Sequence, residues 1–183
     1  MSRSIAFLRG LNVGGHRVKM DRLRELFEEL GFSDVETFIA SGNVIFTANS
    51  SDPADLEHEI ERHLERQLGY DVATFIRSPR ELAAIAAFEA FAPWGEEGPD
   101  DSLYVIFLPA PPDAELRERF DDLGTPMDDF QFSGREIYWL IRGKLSDSPL
   151  FGAGLAKATG KVPNTMRNMT TLRRLVARHE WEE

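Results

Sequence analysis

A glycine-rich stretch near the start of the chain carries the residue types that a phosphate or carboxylate site needs. Residues 7–19 read FLRGLNVGGHRVK, with two adjacent glycines in the middle and cations towards both ends. Glycine lets the backbone come close to a ligand and adopt a positive φ. Free N–H groups at the start of a following helix attract anions. The residues that we expect to contact such an anion are Arg9, Asn12, Gly14, Gly15 and Lys19.

This stretch does not match the known nucleotide-binding loops. Gly10 and Gly15 have the spacing of a P-loop, but His16 and Arg17 stand where that motif has a lysine and a hydroxyl residue. A dinucleotide fingerprint is also excluded, because the sequence contains no G-x-G-x-x-G. One alternative stays open, in which the glycines only form a tight connection between a strand and a helix.

A second polar segment lies near the end of the chain. Residues 161–171 read KVPNTMRNMTT and hold two cations, two amides and three hydroxyls. Such groups can bind a phosphate or carboxylate through several hydrogen bonds. Helix capping by Asn168 or Thr170 is the alternative explanation for part of this cluster. The candidate ligand contacts here are Lys161, Arg167 and Asn168, and Asn43, in a predicted hairpin turn, is a further candidate.

The distribution of charge suggests a link between the two segments. The chain has a net charge of −10. Residues 1–24 hold six Arg and Lys against one Asp, and residues 141–183 hold eight against four acids, so residues 25–140 are strongly acidic. We expect the two basic ends to form one anion site, although solvated helix faces also explain the acidic middle. The negative total argues against sequence-independent nucleic-acid binding, which depends on phosphate contacts.

No metal, cofactor or catalytic residue is predicted. The chain has no cysteine, which excludes disulfides and thiolate chemistry. His58 and His63 would lie about 140° apart on a helix, so they cannot share one metal ion. Ser41 and Ser133 lie in Ser-Gly turns without the surroundings of a catalytic serine. His16 is the nearest candidate for an acid or base, and whether the protein is an enzyme stays open.

The order of the predicted elements indicates a duplicated ferredoxin-like α+β fold. Residues 4–88 alternate as strand, helix, strand, strand, helix and strand, the split βαβ pattern, before one further helix. The segment LGFSDVETFIASGNVIF at 30–46 aligns with LGTPMDDFQFSGREIYW at 123–139, with a gap of one residue. An internal repeat of this kind indicates two copies of one structural unit. We therefore expect two subdomains with antiparallel sheets.

The predicted domain boundaries follow from composition. The segment 93–101 is rich in proline, glycine and acids and is typical of a linker. It separates a first ferredoxin-like subdomain at 1–92 from a second at 102–183, which ends in a helix from about Thr170 to His179. The second copy is expected to depart from the first after Arg142, with residues 143–168 mostly in a loop that contains a short helix around Gly154–Thr159.

Three motifs in the sequence resemble one known family. The segments LRGLNVGG with the nearby VKM, then FIASGNVIF, then TMRNMTTLRRL, occur in this order and resemble the bacterial family catalogued as domain of unknown function 1697 (DUF1697). The resemblance implies a cytoplasmic protein of two ferredoxin-like subdomains, and it implies no established activity. The late motif of that family is similar to T-x-R-N-W, and Met169 stands here in place of the tryptophan.

The leading functional hypothesis is binding of a small anionic ligand, a nucleotide or phosphorylated metabolite, between the two basic segments. A protein-interaction module that uses its acidic helices is one alternative. RNA binding through a sheet face is another, because strand alternation predicts that either Tyr138 or Trp139 is exposed for stacking. No apolar run has the length of a membrane span or a secretory signal, so we expect a soluble cytoplasmic protein. The oligomeric state does not follow from the sequence.

Overall fold

The structure is a computed structural model, and it describes residues 1–39, 42–50, 52–89, 91, 98 and 100–178. It confirms the α+β class and the two similar halves, each with a four-stranded antiparallel sheet. By contacts the described chain divides into two units, Met1–Ala83 and Ala84–Arg178. Most of the predicted linker at 93–101 lies outside the described residues, as do Ser41 and the predicted helix end at His179.

The first unit has the element order β-α-β-β-α-β. Its elements are β1 (Ser2–Arg9), α1 (Met20–Glu28), β2 (Ser33–Thr37), β3 (Asn43–Ala48), α2 (Pro53–Leu68) and β4 (Ala73–Arg77), and α3 (Pro79–Ala87) follows. The sheet has the strand order β2-β3-β1-β4. The chain crosses from β1 to α1 through residues 10–19, so the glycine-rich stretch is the first connection of this unit.

Local sequence signals explain the boundaries of α2, the longest helix of this unit. Asp52 caps it, because its Oδ1 accepts the N–H groups of Ala54 and Asp55 at 2.9 and 3.2 Å. Gly69 ends it with a φ of +82°, a conformation that favours glycine. The helix buries Leu56 and Ile60 in a core that it shares with α1 and one face of the sheet.

The second unit repeats this order. Its elements are β5 (Ser102–Phe107), α4 (Ala114–Asp121), β6 (Asp128–Ser133), β7 (Glu136–Ile141), α5 (Ala153–Thr159), β8 (Thr165–Asn168) and α6 (Met169–Arg178). The sheet has the order β6-β7-β5-β8, which is the order of the first sheet with the numbers shifted by four. The duplicated ferredoxin-like fold is therefore complete in both copies.

Strand β8 corrects the prediction that residues 143–168 form mostly a loop. It pairs with β5 along its whole length, from Thr165 opposite Phe107 to Asn168 opposite Tyr104. The strand has only four residues, and its inward-facing side chains include a buried arginine. No apolar alternation therefore marks it in the sequence, and alternation is the main signal for a half-buried strand.

Both faces of each sheet are buried. Ile5 and Phe7 lie on the face of the first sheet away from α1 and α2, and both are fully buried. The expectation that one of Tyr138 and Trp139 is exposed is wrong, because both are buried although they lie on opposite faces of β7. Exposed aromatics on a free sheet face, which an RNA-stacking platform requires, do not occur on the central strands that the structure describes.

Candidate functional site

The connection from β1 to α1 forms an exposed loop in which three glycines have positive φ. Gly10, Gly14 and Gly15 have φ of +83°, +62° and +87°, a region that residues with a side chain rarely adopt. At Gly10 an added Cβ would lie 3.5 Å from the carbonyl oxygen of Asp71, whereas Gly15 faces open space. The backbone at Gly14 and Gly15 is therefore accessible to a ligand.

Buried side chains, one hydrogen bond within the loop and one from Tyr70 fix the position of the loop. Leu11 and Val18 are buried in the core of the first unit. The amide oxygen of Asn12 accepts the N–H of Val18 at 2.9 Å, which closes the loop on itself. The hydroxyl of Tyr70 donates to the carbonyl of Leu11 at 2.9 Å. Burial raises the pKa of Tyr70, which keeps the phenol protonated as that donor.

His16 and Tyr70 form a stacked pair at one side of the loop. Their ring centroids are 4.0 Å apart and the ring planes are inclined by 25°. His16 is exposed, so the other face of its ring is open to solvent. Sequence reasoning identified the histidine but missed Tyr70, because the two residues lie 54 positions apart and no local pattern joins them.

The helix that follows the loop begins without a side-chain cap. Lys19 is the N-cap residue of α1, and its backbone is extended, with φ −67° and ψ 145°. Asn12, the nearest amide in the sequence, already accepts from Val18. Within the described part of the chain, no side chain accepts the first-turn N–H groups of residues 20–22. These donors can therefore bind an external anion.

The cations of the loop differ from those of the helix. Arg9, Arg17 and Lys19 are exposed, and none of them pairs with a carboxylate of the residues that the structure describes. In α1, by contrast, Arg22 contacts Glu29 at 2.7 Å, and Arg24 contacts the exposed Asp21 at 3.3 Å. The three cations of the loop therefore have no carboxylate partner among the described residues.

Comparison with known proteins places this loop in a family. The family model described as "Protein of unknown function (DUF1697)" matches residues 1–138. The chain belongs to the DUF1697 family. The fold is also similar to the solved structure of the conserved bacterial protein SP0830 from Streptococcus pneumoniae, at 20% identity and a TM-score of 0.71, over 97% of this chain and 98% of that one. No curated protein matches the sequence significantly.

The DUF1697 match includes the glycine loop and the hairpin that carries Asn43, and it ends before the basic segment at 161–171. Asn43 is buried, and its amide donates to the carbonyl of Phe38 at 2.9 Å. It therefore fixes the hairpin between β2 and β3. A contact between Asn43 and a ligand stays a prediction.

In this DUF1697 chain the late basic segment lies in the second unit. Lys161 is exposed, and Asn168 accepts the N–H of Thr170 at 2.8 Å at the start of α6. Arg167 is buried, and one of its nitrogens donates to Thr165 Oγ1 and to the carbonyl of Met166, both at 2.8 Å. Burial lowers the pKa of Arg167 to about 10, so the side chain is still charged at neutral pH. A ligand contact by Lys161, Arg167 or Asn168 stays a prediction.

A shallow cavity of about 410 Å³ lies elsewhere in the first unit. It is lined by Leu30 and by four residues of the outer face of α2: Glu59, Arg62, Glu65 and Arg66. Two acids and two arginines balance each other there, so this cavity has no net charge with which to select an anion. Among the described residues no helix has the length and apolar character to cross a membrane.

Proposed function

We propose that the glycine loop of the first unit binds a small molecule that carries a phosphate or carboxylate. The observation that supports this most strongly is the combination of uncapped N–H groups at the start of α1 with three exposed cations, Arg9, Arg17 and Lys19, that lack carboxylate partners in the described chain. In this site Asn12 holds the loop in place, and Gly14 and Gly15 present backbone N–H groups to the anion.

The expected affinity is modest. A helix N-terminus contributes roughly 0.3–1 kcal/mol to anion binding at an exposed site, and a hydrogen bond to a charged group contributes about 1.5–3 kcal/mol. Two or three such contacts give a dissociation constant on the order of 0.1–1 mM. Because the cations are exposed, the affinity should fall as salt increases.

The stacked pair of His16 and Tyr70 favours a nucleotide over a simple phosphate. The exposed face of the His16 ring can stack on a nucleobase, and each such contact contributes roughly 1–3 kcal/mol. We therefore expect a nucleoside triphosphate to bind more tightly than inorganic triphosphate. In His16→Ala that difference should disappear, while binding of inorganic triphosphate should be unchanged.

Titration followed by amide NMR tests the proposal, with ATP, GTP, triphosphate and citrate as probes at low, constant ionic strength. The amides of Gly14, Gly15 and residues 20–22 should shift with the phosphate probes. The triple variant Arg9→Gln, Arg17→Gln, Lys19→Gln should lose affinity by about tenfold or more.

A matched triple variant controls for net charge. The substitutions Arg24→Gln, Arg62→Gln and Arg66→Gln remove the same charge from exposed positions of α1 and α2. This variant should retain affinity within about threefold, because exposed charges at a distance are screened. Equal losses in the two triple variants, or shifts confined to other parts of the first unit, would refute a site at the loop.

A further inference from the structure

The outer edge of β4 is closed by side chains. Every second N–H of an antiparallel edge strand points away from its neighbour. In β4 the N–H of Thr74 donates to Glu61 Oε1 at 2.8 Å, and the N–H of Ile76 donates to Glu57 Oε1 at 2.7 Å. The next such N–H, at Ser78, donates to the glutamate of the α3 capping box. No amide of this edge that points outward is left for another strand.

Strand β8 is the equivalent edge of the second sheet. Arg77 of β4 pairs with Ile5 of β1, and Arg167 of β8 pairs with Val105 of β5. Each guanidinium donates to the carbonyl of the residue that precedes it, at 2.7 and 2.8 Å. The two arginines therefore occupy the same position of the repeat, and the residues around them correspond one to one.

Among the residues that the structure describes, nothing closes the outer edge of β8. Met166 corresponds to Ile76, so its N–H points away from β5, and by the same alternation those of Asn164 and Asn168 do too. No side chain of the described residues accepts from these three amides. In the first unit α2, with sixteen residues, packs along β4, whereas α5 has seven residues and packs against α4. An edge of this kind can pair with another strand.

The charge of the residues around β8 indicates which kind of strand can pair with this edge. Residues 157–174, which include β8, hold five Arg and Lys and no acid. Lys161, four residues before β8, is exposed and has no carboxylate partner in the described chain. Pairing with β8 of a second copy would bring two basic segments together, and like charges on facing strands are destabilising. We propose that the outer edge of β8 binds an extended acidic peptide segment of another protein, which adds a fifth strand to the sheet.

The other open edges disfavour such a peptide. Strand β6, at the opposite edge of the same sheet, exposes Asp129. Strand β2, the second edge of the first sheet, contains Asp34 and Glu36, and its pairing is interrupted between Ser33 and Glu36. An acidic strand would be repelled at both edges. An acidic peptide should therefore bind at β8 in preference to β6 or β2.

Amide hydrogen exchange measured by NMR on the full chain tests this proposal. The probe is a blocked heptapeptide of alternating valine and glutamate, and its matched control has lysine in place of glutamate. In the free protein the amide of Met166 should exchange fast. A saturating amount of the acidic peptide should slow it by at least about tenfold, and the lysine peptide should not. The amides of Thr74 and Ile76 should be unchanged, because Glu61 and Glu57 already bind them.

Two further measurements distinguish strand pairing from simple charge attraction. The same acidic peptide with alternate backbone nitrogens methylated keeps its charge but cannot complete a ladder, so it should give no protection at Met166. Lys161→Glu should weaken binding of the unmodified peptide, and Lys144→Glu, a matched exposed change, should not.

Three results would overturn the proposal. The methylated peptide could protect Met166 as well as the unmodified one. The amide could be protected in dilute free protein. Its exchange could also slow with protein concentration alone, which would make a second copy the occupant.

Discussion

The two units differ most at the connection between the first strand and the first helix. In the first unit, residues 10–19 contain three glycines and no acid, and the N-cap residue of α1, Lys19, provides no side-chain cap. In the second unit, residues 109–113 read PAPPD, and Asp113 Oδ1 accepts the N–H of Leu116 at 2.8 Å. A carboxylate of the chain thus occupies the place at α4 that an external anion could take at α1.

The connections before α1 and α4 are also held in place in different ways. Three prolines restrict the backbone before α4, because each locks its own φ. The longer glycine loop has little stiffness of its own, and it depends on the buried Leu11 and Val18 and on the hydroxyl of Tyr70. A loop fixed by its surroundings can keep its own backbone groups available to a ligand.

The largest effect that we predict is on stability, when a buried side chain that holds the glycine loop in place is removed. Leu11→Ala removes a side chain that is 4% exposed, and it should lower the free energy of unfolding by about 2–4 kcal/mol. Val13→Ala, at an exposed position of the same loop, is the control and should change it by less than about 0.5 kcal/mol. Urea denaturation followed by far-UV circular dichroism, which reports the helices of both units, measures both. A Leu11→Ala protein as stable as Val13→Ala would show that the loop is not anchored by the core.

The second prediction gives α1 the kind of side-chain cap that α4 has. Lys19→Asp supplies α1 with an acidic cap like Asp113 of α4, so the cap should compete with a bound anion for the first-turn N–H groups. Triphosphate affinity, measured by calorimetry, should fall by about tenfold or more.

Two further variants at Lys19 separate the charge from the cap. Lys19→Asn caps the helix without adding a negative charge, and Lys19→Gln removes the positive charge without capping. The Gln variant should therefore bind triphosphate most tightly of the three, the Asn variant less tightly and the Asp variant least tightly. If all three variants bind equally, the uncapped helix contributes nothing to the site.

The third prediction makes the reverse change in the second unit. Asp113→Ala removes the cap of α4 and should lower the free energy of unfolding by about 1 kcal/mol. Asp113→Asn should keep most of the stability, because asparagine caps equally well. Asp113→Ala should nevertheless gain no phosphate binding, since the PAPPD connection carries no cation. If it does gain binding, an open helix N-terminus alone is sufficient and the cations of the glycine loop are unnecessary.

Local signals in the sequence predicted those parts of the fold that depend on neighbouring residues. Asp52 caps α2, Gly69 ends it, and Ser78 and Glu81 form a capping box at the start of α3, as their residue types and spacing indicate. The positive φ of Gly14 and Gly15 also follows from their type and position. These features require only contacts between residues a few positions apart, so the sequence pattern contains most of the necessary information.

Contacts between distant residues could not be predicted in this way. The burial of Arg167 depends on a sheet that is covered on both faces, and its segment resembles an exposed basic loop in the sequence. Tyr138 and Trp139 are both buried for the same reason. His63 of α2 contacts Glu29 of α1 at 3.0 Å, although the two residues lie 34 positions apart. In each case the partner or the covering surface comes from another element, about which a local pattern carries no information.

The smallest predicted effect concerns the single hydrogen bond between Tyr70 and the loop. Tyr70→Phe removes the donor to Leu11 and should lower the free energy of unfolding by about 1 kcal/mol at neutral pH. The pKa of Tyr70 is raised in the folded protein, so this stabilisation is fully present below about pH 10, the ordinary tyrosine value. It is lost as the pH rises above 10, because the unfolded chain ionises first. The difference in stability between wild type and Tyr70→Phe, measured from pH 7 to 11, should therefore decrease only at the alkaline end. A difference that is constant across this range would mean that the phenol of Tyr70 has the same pKa in the folded and the unfolded chain. The hydrogen bond from its hydroxyl to Leu11 would then not stabilise the loop.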